Sequence, residues 1–368
     1  MRGGNEVEQY SWHEIETWAK RGETERITDL GTVLAEQRRE TYERLRMLDG
    51  DLGHVLRVLA LTPGRRFVQQ LLPLAVQAGQ ARMGHGCAPR LLASLIAEAQ
   101  PLEDALYVLR DSGDRHEELR ACLFHELLLR GTDPETLVPR HALRPDRTLH
   151  RLAWLPDRLA DMERGAGFHS RSYQGRRKGF RYGLSAPVGV DRGARRAAAA
   201  GHVLREVSSL DAIAAIGWPP EAGGWGDHEA RVFVADQPIP RDEVLAVLAT
   251  LPMDCVAGLG DDDRFEGEPC SLDDVWQTLF ATGSLGGIYH EGIYGAYGRL
   301  AAWRSIAELS GAGPAESAQE VERRARACAW YRFEADSEWF HNELDDYGIA
   351  ALTPDGRRLA VLAATDTD

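Results

Sequence analysis

The sequence predicts an α+β fold: an N-terminal all-α, solenoid-like helical array followed by a mixed α+β domain that ends in a β-hairpin. Three observations carry this. Apolar residues recur at a 3–4 spacing from residue 11 to about 164. The segment Ala329-Trp-Tyr-Arg-Phe-Glu-Ala335 alternates as a strand does. Thr353-Pro-Asp-Gly356 is a turn between two apolar runs.

In the first region the helical spacing is kept by Leu30, Val33 and Leu34, by Val55, Val58 and Leu59, by Val68, Leu71 and Leu72, by Leu91, Leu92, Leu95 and Ile96, and by Leu119, Cys122, Leu123 and Leu127. Breaks are expected at Gly50-Asp51, Pro63-Gly64, Gly84-His85-Gly86, Pro101 and Gly113-Asp114, where turn formers interrupt the pattern. No strict internal repeat supports a named solenoid family.

Residues 165–196 lose periodicity and read as a basic loop or linker between the array (1–164) and the α+β domain (197–368). Beyond it, Arg231–Ala235 is an expected strand and Asp242–Leu251 a short helix. Ser271-Leu-Asp-Asp274 is a capping signature that opens a helix through Phe280, and a further helix is expected from Tyr297 to Leu309. Gly348–Leu352 and Arg358–Ala363 form the arms of the terminal hairpin.

A net charge of −14 argues against a general nucleic-acid binder, since phosphate contact needs a basic face. The five cysteines are odd in number and lack C-x-x-C spacing, so they read as small buried hydrophobes of a reducing compartment rather than as disulfides or a zinc site. No h-region opens the chain and no run approaches ~18 apolar residues, so a cytoplasmic protein without a membrane span is expected. No metal and no cofactor are expected.

Four features are candidate sites. Gly283, Gly286 and Gly287 resemble a phosphate-cradling loop, but no Walker lysine accompanies them; close packing of helices through Gly292, Gly295 and Gly298 is the competing account. His290, Glu291, His341 and Glu343 are candidate acid/base groups. His341 and Glu343 would share a face in a strand, with Asp345 beyond them, whereas solvated surface positions are the plainer reading. The acidic stretch Asp261–Glu268 lacks the pattern of a calcium loop. Arg171, Arg176, Arg177, Lys178 and Arg181, interleaved with Phe168, Tyr173, Phe180 and Tyr182, suit stacking and phosphate contact, and equally docking on an acidic surface, either a protein partner's or this chain's own; an ordinary exposed loop is the plainer reading.

The run Gly295-Ala-Tyr-Gly-Arg-Leu-Ala-Ala-Trp303 and the ending Pro354-Asp-Gly-Arg-Arg-Leu-Ala-Val-Leu-Ala-Ala-Thr-Asp-Thr-Asp368 resemble an uncharacterised family of actinobacterial proteins of unknown function. The resemblance covers the last quarter of the chain. It implies a bacterial cytoplasmic origin and carries over no catalytic residue.

The leading expectation is a non-enzymatic protein-binding protein, immunity- or regulator-like, because an acidic array offers a broad surface. The alternative is an enzyme acting on a small or nucleotide-like substrate, with its acid/base groups in the C-terminal domain.

Overall fold

The structure is a computed structural model and describes residues 10–40, 45–80, 87–110, 114–137, 150–165, 167–168, 171–172, 175–176, 180–209, 226–260, 262–287, 291–340 and 345–366. Two compact units emerge, one of Met1–Ala142 with His169–Arg177 and one of Leu143–Phe168 with Lys178–Asp368. A helical N-terminal region followed by a mixed α+β region is the architecture expected of the sequence.

The first unit contains α1 (Trp12–Arg21), α2 (Thr24–Glu40), α3 (Leu45–Leu61), α4 (Arg65–Gln80), α5 (Pro89–Ala99), α6 (Leu102–Arg110), α7 (Glu117–Leu129) and the single turn α8 (Pro134–Leu137), with β1 (Arg171–Ser172) paired to β2 (Gly175–Arg176). Helix α1 starts at a reciprocal capping box between Ser11 and Glu14 and stops at Gly22, whose φ of 73° lies in the left-handed region that favours glycine. The core is mainly aliphatic, with Ile27, Leu52, Val55, Leu56, Leu59, Val68, Leu71 and Ile96 buried beside Trp18, Phe67 and Phe124.

The break at Pro63-Gly64 is present and is held from a distance. Gln100, buried after α5, donates to the Ala60 and Thr62 carbonyls at 2.8 and 2.7 Å and accepts from the Gly64 amide at 3.0 Å. One side chain thus satisfies the carbonyls that α3 leaves open at its end. The break expected at Gly50-Asp51 is absent, and α3 runs through both residues. A helical glycine costs about 1 kcal/mol against alanine; burial of Leu52, Val55 and Leu56 on the same helix outweighs it.

The second unit is built on a seven-stranded antiparallel sheet. Its strands are β3 (Val188–Gly189), β4 (Leu204–Ser209), β5 (Asp227–Ala235), β6 (Phe265–Cys270), β7 (Ala329–Ala335), β8 (Tyr347–Leu352) and β9 (Arg358–Thr365), in the order β3-β6-β7-β8-β9-β5-β4. The terminal hairpin is as expected: β8 pairs with β9 in the register Leu352↔Leu359, and Gly356 takes the left-handed turn position at φ 70°. The strand expected at Arg231–Ala235 extends back to Asp227.

Alternation along the strands divides the sheet into two faces. One carries Phe233, Phe265, Tyr331, Phe333, Ala350, Leu352, Leu359 and Val361. It packs with α9 (Arg192–Gly201) and α10 (Val244–Leu248) into a single apolar core that also takes Phe340. Helix α10 is shorter than the Asp242–Leu251 expected. The other face carries Trp330, Arg332, Glu334, Tyr347 and Ile349. It meets α11 (Leu272–Leu285), α12 (Tyr294–Ser310) and α13 (Ala318–Ala327): Thr282 of α11 meets Tyr347, and the Trp330 indole donates to the Ala325 carbonyl at 2.7 Å.

Candidate functional site

Helices α11 and α12 explain the glycine-rich run. Gly283 and Ser284 lie inside α11, which continues to Leu285 rather than ending at Phe280. A Cβ built on Gly283 would sit 3.3 Å from the Gly298 Cα, and one on Gly298 would meet the Ser284 Cβ at 2.7 Å. The two helices therefore touch backbone to backbone, and the glycines are the small-residue seam that permits it. Gly283 and Ser284 are helix interior, so no phosphate loop forms around them. At Gly287 an added Cβ would fall 1.6 Å from an Asp366 carboxylate oxygen, a setting that repels a phosphate.

The residues of Gly295–Trp303 hold a second structural feature. Arg299 on α12 is fully buried and forks onto Glu163, itself 1% exposed, with Nε donating to Oε1 at 2.6 Å and Nη2 to Oε2 at 2.8 Å. The remaining guanidinium donors reach the Pro156 and Arg158 carbonyls at 3.0 Å, and the Trp303 indole and the Ala160 amide complete the Glu163 carboxylate at 2.9 and 2.8 Å. This buried pair is hydrogen-bonded on both sides and pins residues 156–163 to α12.

A different set of ionisable groups gathers where β7 and β8 meet α11. The Tyr347 ring stacks on Tyr182 with centroids 5.2 Å apart and planes 13° from parallel. The Thr282 hydroxyl lies 2.9 Å from that of Tyr347. Asp345 and Asp346, just before β8, and Asp366, just after β9, are each no more than 5% exposed, and Asp366 accepts from the Gly226 amide at 3.0 Å. Burial pushes the Tyr182 hydroxyl well above the usual phenol range, and its neighbour Tyr347 and the charges of Asp345 and Asp366 push it further. Burial raises Tyr347 in the same way. Glu334 on β7 is likewise raised, first by desolvation and also by Asp346, against the pull of Arg332. Perturbed groups in mutual reach mark a candidate site.

The segment Phe180–Ala186 crosses this face. Glu268 on β6 accepts from the Ser185 amide at 3.0 Å and from the Ala186 amide at 2.5 Å; Arg332 donates to the Gly183 carbonyl at 3.1 Å, and Glu334 accepts from the Leu184 amide. Register places Glu268 directly opposite Arg332, and Glu266 opposite Glu334.

The residues singled out from sequence fall variously. His290, His341 and Glu343 lie outside the described residues, as do Arg177 and Lys178; Glu291 is exposed beside the α11–α12 seam, and Arg181 is exposed on the crossing segment. Arg171 is paired with Arg176 in the β1–β2 backbone register. Farther along the basic stretch, Arg195 donates to the carbonyls of Val190, Gly260 and Asp263, closing the loop before β6. Sequence reasoning passed over Glu334, Arg332, Asp346 and Asp366. The signal available was the pair of charges at alternate positions in Ala329–Ala335, which reads as a solvent face.

The cysteines are free; burial pushes the thiols of Cys87 and Cys270 up to about 12, leaving both protonated at neutral pH. Among the described residues no group of three or more His, Cys, Asp or Glu is arranged to hold a metal ion, and no helix is long and apolar enough to cross a membrane. No curated protein and no solved structure matches the chain at a significant level. A family profile matches residues 9–368, and on that match the chain belongs to a family of unknown function, DUF6183.

Proposed function

We propose that the α+β unit is a small-molecule site with acid/base groups, and that the chain acts as an enzyme on a neutral or cationic polar substrate. The observation that carries this is the gathering of Tyr182, Tyr347, Asp345, Asp346, Asp366 and Glu334, with Tyr182, Tyr347 and Glu334 each raised above their ordinary pKa, on the side of the sheet opposite the apolar cluster of Phe233, Phe265, Phe333 and Val361. A carboxyl group whose pKa is raised by desolvation holds its proton more tightly than a free one, and Glu334, half-buried beside Asp346, is the described carboxyl of the cluster for which burial does this. The surrounding carboxylates disfavour a phosphate-bearing substrate by like-charge repulsion, which narrows the nucleotide-like alternative to a nucleoside, an amine or an amino acid. The resemblance seen in the C-terminal motifs, together with the free thiols, supports a bacterial cytoplasm as the setting.

The test is a thermal-shift screen of the full chain against amines, amino acids, nucleosides and nucleotides. A ligand present at a hundred times its Kd should add about 2.7 kcal/mol of stability. Amines, amino acids or nucleosides should raise Tm and nucleotides should not. A screen in which only nucleotides shift Tm would overturn the substrate class, and one with no shift at all would overturn the site.

A second reading, a non-enzymatic binding protein, is favoured by one observation. Val203 and Val207, at the sheet's β4 end, are 69% and 42% exposed, and Val188 on β3 at the opposite end is 58% exposed. Exposed valines on outer strands invite strand addition by a partner. Val207→Lys should then abolish capture of a protein partner from the native host while leaving small-molecule binding intact.

A further inference from the structure

We infer that residues 180–186 form a lid over the carboxylate–tyrosine cluster, latched by Glu268 and carrying Tyr182 into the site when closed. The inference rests on the reading of that cluster as a site.

The segment is irregular, and its anchorage is unusual. The latch side chains grip only its backbone: Glu268 takes two successive amides, Glu334 takes the Leu184 amide, and Arg332 takes the Gly183 carbonyl. Of its own side chains Tyr182 alone is fully buried, edge-on to the half-buried Phe180; Leu184 is half-buried, and Gly183, Ser185 and Ala186 are exposed. Opening must therefore break the Tyr182 stack and the latch hydrogen bonds, and residues 183–186 bury little besides. Gly183, its carbonyl held by Arg332 and with nothing within 4 Å of where a Cβ would be, lies between the amides that Glu268 holds and Tyr182.

Tyr182 makes the movement consequential. It stacks on Tyr347 and lies within the field of Asp345 and Asp366. Opening would withdraw this ring and admit water to the carboxylates; closing would rebuild a dry site. Glu268 sits at the far end of the segment from Tyr182. It is therefore a positioning residue that acts through the lid.

Hydrogen exchange on the full chain, read by mass spectrometry, tests the lid without a known ligand. In the native protein, peptides spanning 180–187 should exchange by local opening, faster than peptides from β8 and β9. In Glu268→Ala they should exchange roughly tenfold faster again, the loss of a charge-assisted latch, with β8 and β9 unchanged. Glu268→Gln, which keeps an acceptor oxygen, should fall between the two. Exchange of 180–187 only together with β8 and β9 in the native protein would overturn the lid, as would no acceleration in Glu268→Ala. If Glu268→Ala unfolds the chain, Tyr182→Ala supplies a second reading: it removes the one buried lid side chain and should accelerate the same peptides. Failure of the ligand screen with the exchange result intact would sink the site and leave the lid standing.

Discussion

Two buried ionisable clusters in the same unit make an instructive contrast. Around Arg299 and Glu163 every donor and acceptor meets a complementary group: one guanidinium against one carboxylate, with an indole, an amide and two carbonyls filling the remaining positions. Around Tyr182 and Tyr347 the groups work against each other. Asp345 and Asp366 raise Tyr182, and Asp346 raises Glu334. The first arrangement fastens a segment to a helix. The second holds desolvated and like-charged groups together at a cost in stability, which is the trade expected of a functional site.

The largest effect should come from breaking the matched pair. Arg299→Met leaves Glu163 charged and buried without its counter-ion and should cost about 3–5 kcal/mol in urea unfolding. A cost below about 1 kcal/mol would mean that residues 156–163 detach without penalty. Next is the glycine seam. Gly298→Ala forces a methyl to within 2.7 Å of the Ser284 Cβ and should cost about 1–3 kcal/mol, seen as a lower Tm. In the first unit, Gln100→Ala strips a buried side chain from the Ala60 and Thr62 carbonyls and the Gly64 amide and should cost about 1–3 kcal/mol. Hydrogen exchange should then show the loss concentrated at the junction of α3 and α4.

The smallest effect is a pH dependence at Glu334. Its folded pKa is raised above the ordinary 4.5, with desolvation the first cause. The folded state therefore holds the proton more tightly than the unfolded chain. The stabilisation this gives is full below pH 4.5 and is lost as the pH rises through the folded value. Glu334→Gln should remove that component, flattening the stability profile just above pH 4.5 and leaving the variant the more stable at neutral pH. An unchanged profile would show that Glu334 titrates as an ordinary surface carboxylate.

Much of the scaffold was legible in the residues. Trp330 to Ala335 alternate, Thr353–Gly356 can only turn, and Leu91 to Ile96 can bury only as a helix. The errors have physical causes. Gly50 looked like a break because local propensity carries no knowledge of the burial around it. The Gly283 run left a phosphate loop and a helix-packing seam both open, because its purpose, contact with Gly298, lies on another helix. The candidate site was scarcely legible at all. Tyr182, Thr282, Glu334, Asp345 and Asp366 come from separate segments, and only the sheet register and the crossing of residues 180–186 bring them together. Arg332 and Glu334 carry the alternation of a wet strand face, and sequence alone does not reveal that helices and a strap cover it.

Asp366→Asn separates a functional cluster from a structural one most directly. The substitution keeps an oxygen able to accept from the Gly226 amide, removes the charge and turns the other oxygen into an NH2 donor. If the cluster is a site, thermal unfolding of Asp366→Asn should match or exceed the native Tm at neutral pH, and the ligand-induced shift should disappear. A fall in Tm comparable to that of Arg299→Met, with the ligand response intact, would contradict the account and place Asp366 among the fastenings of the fold.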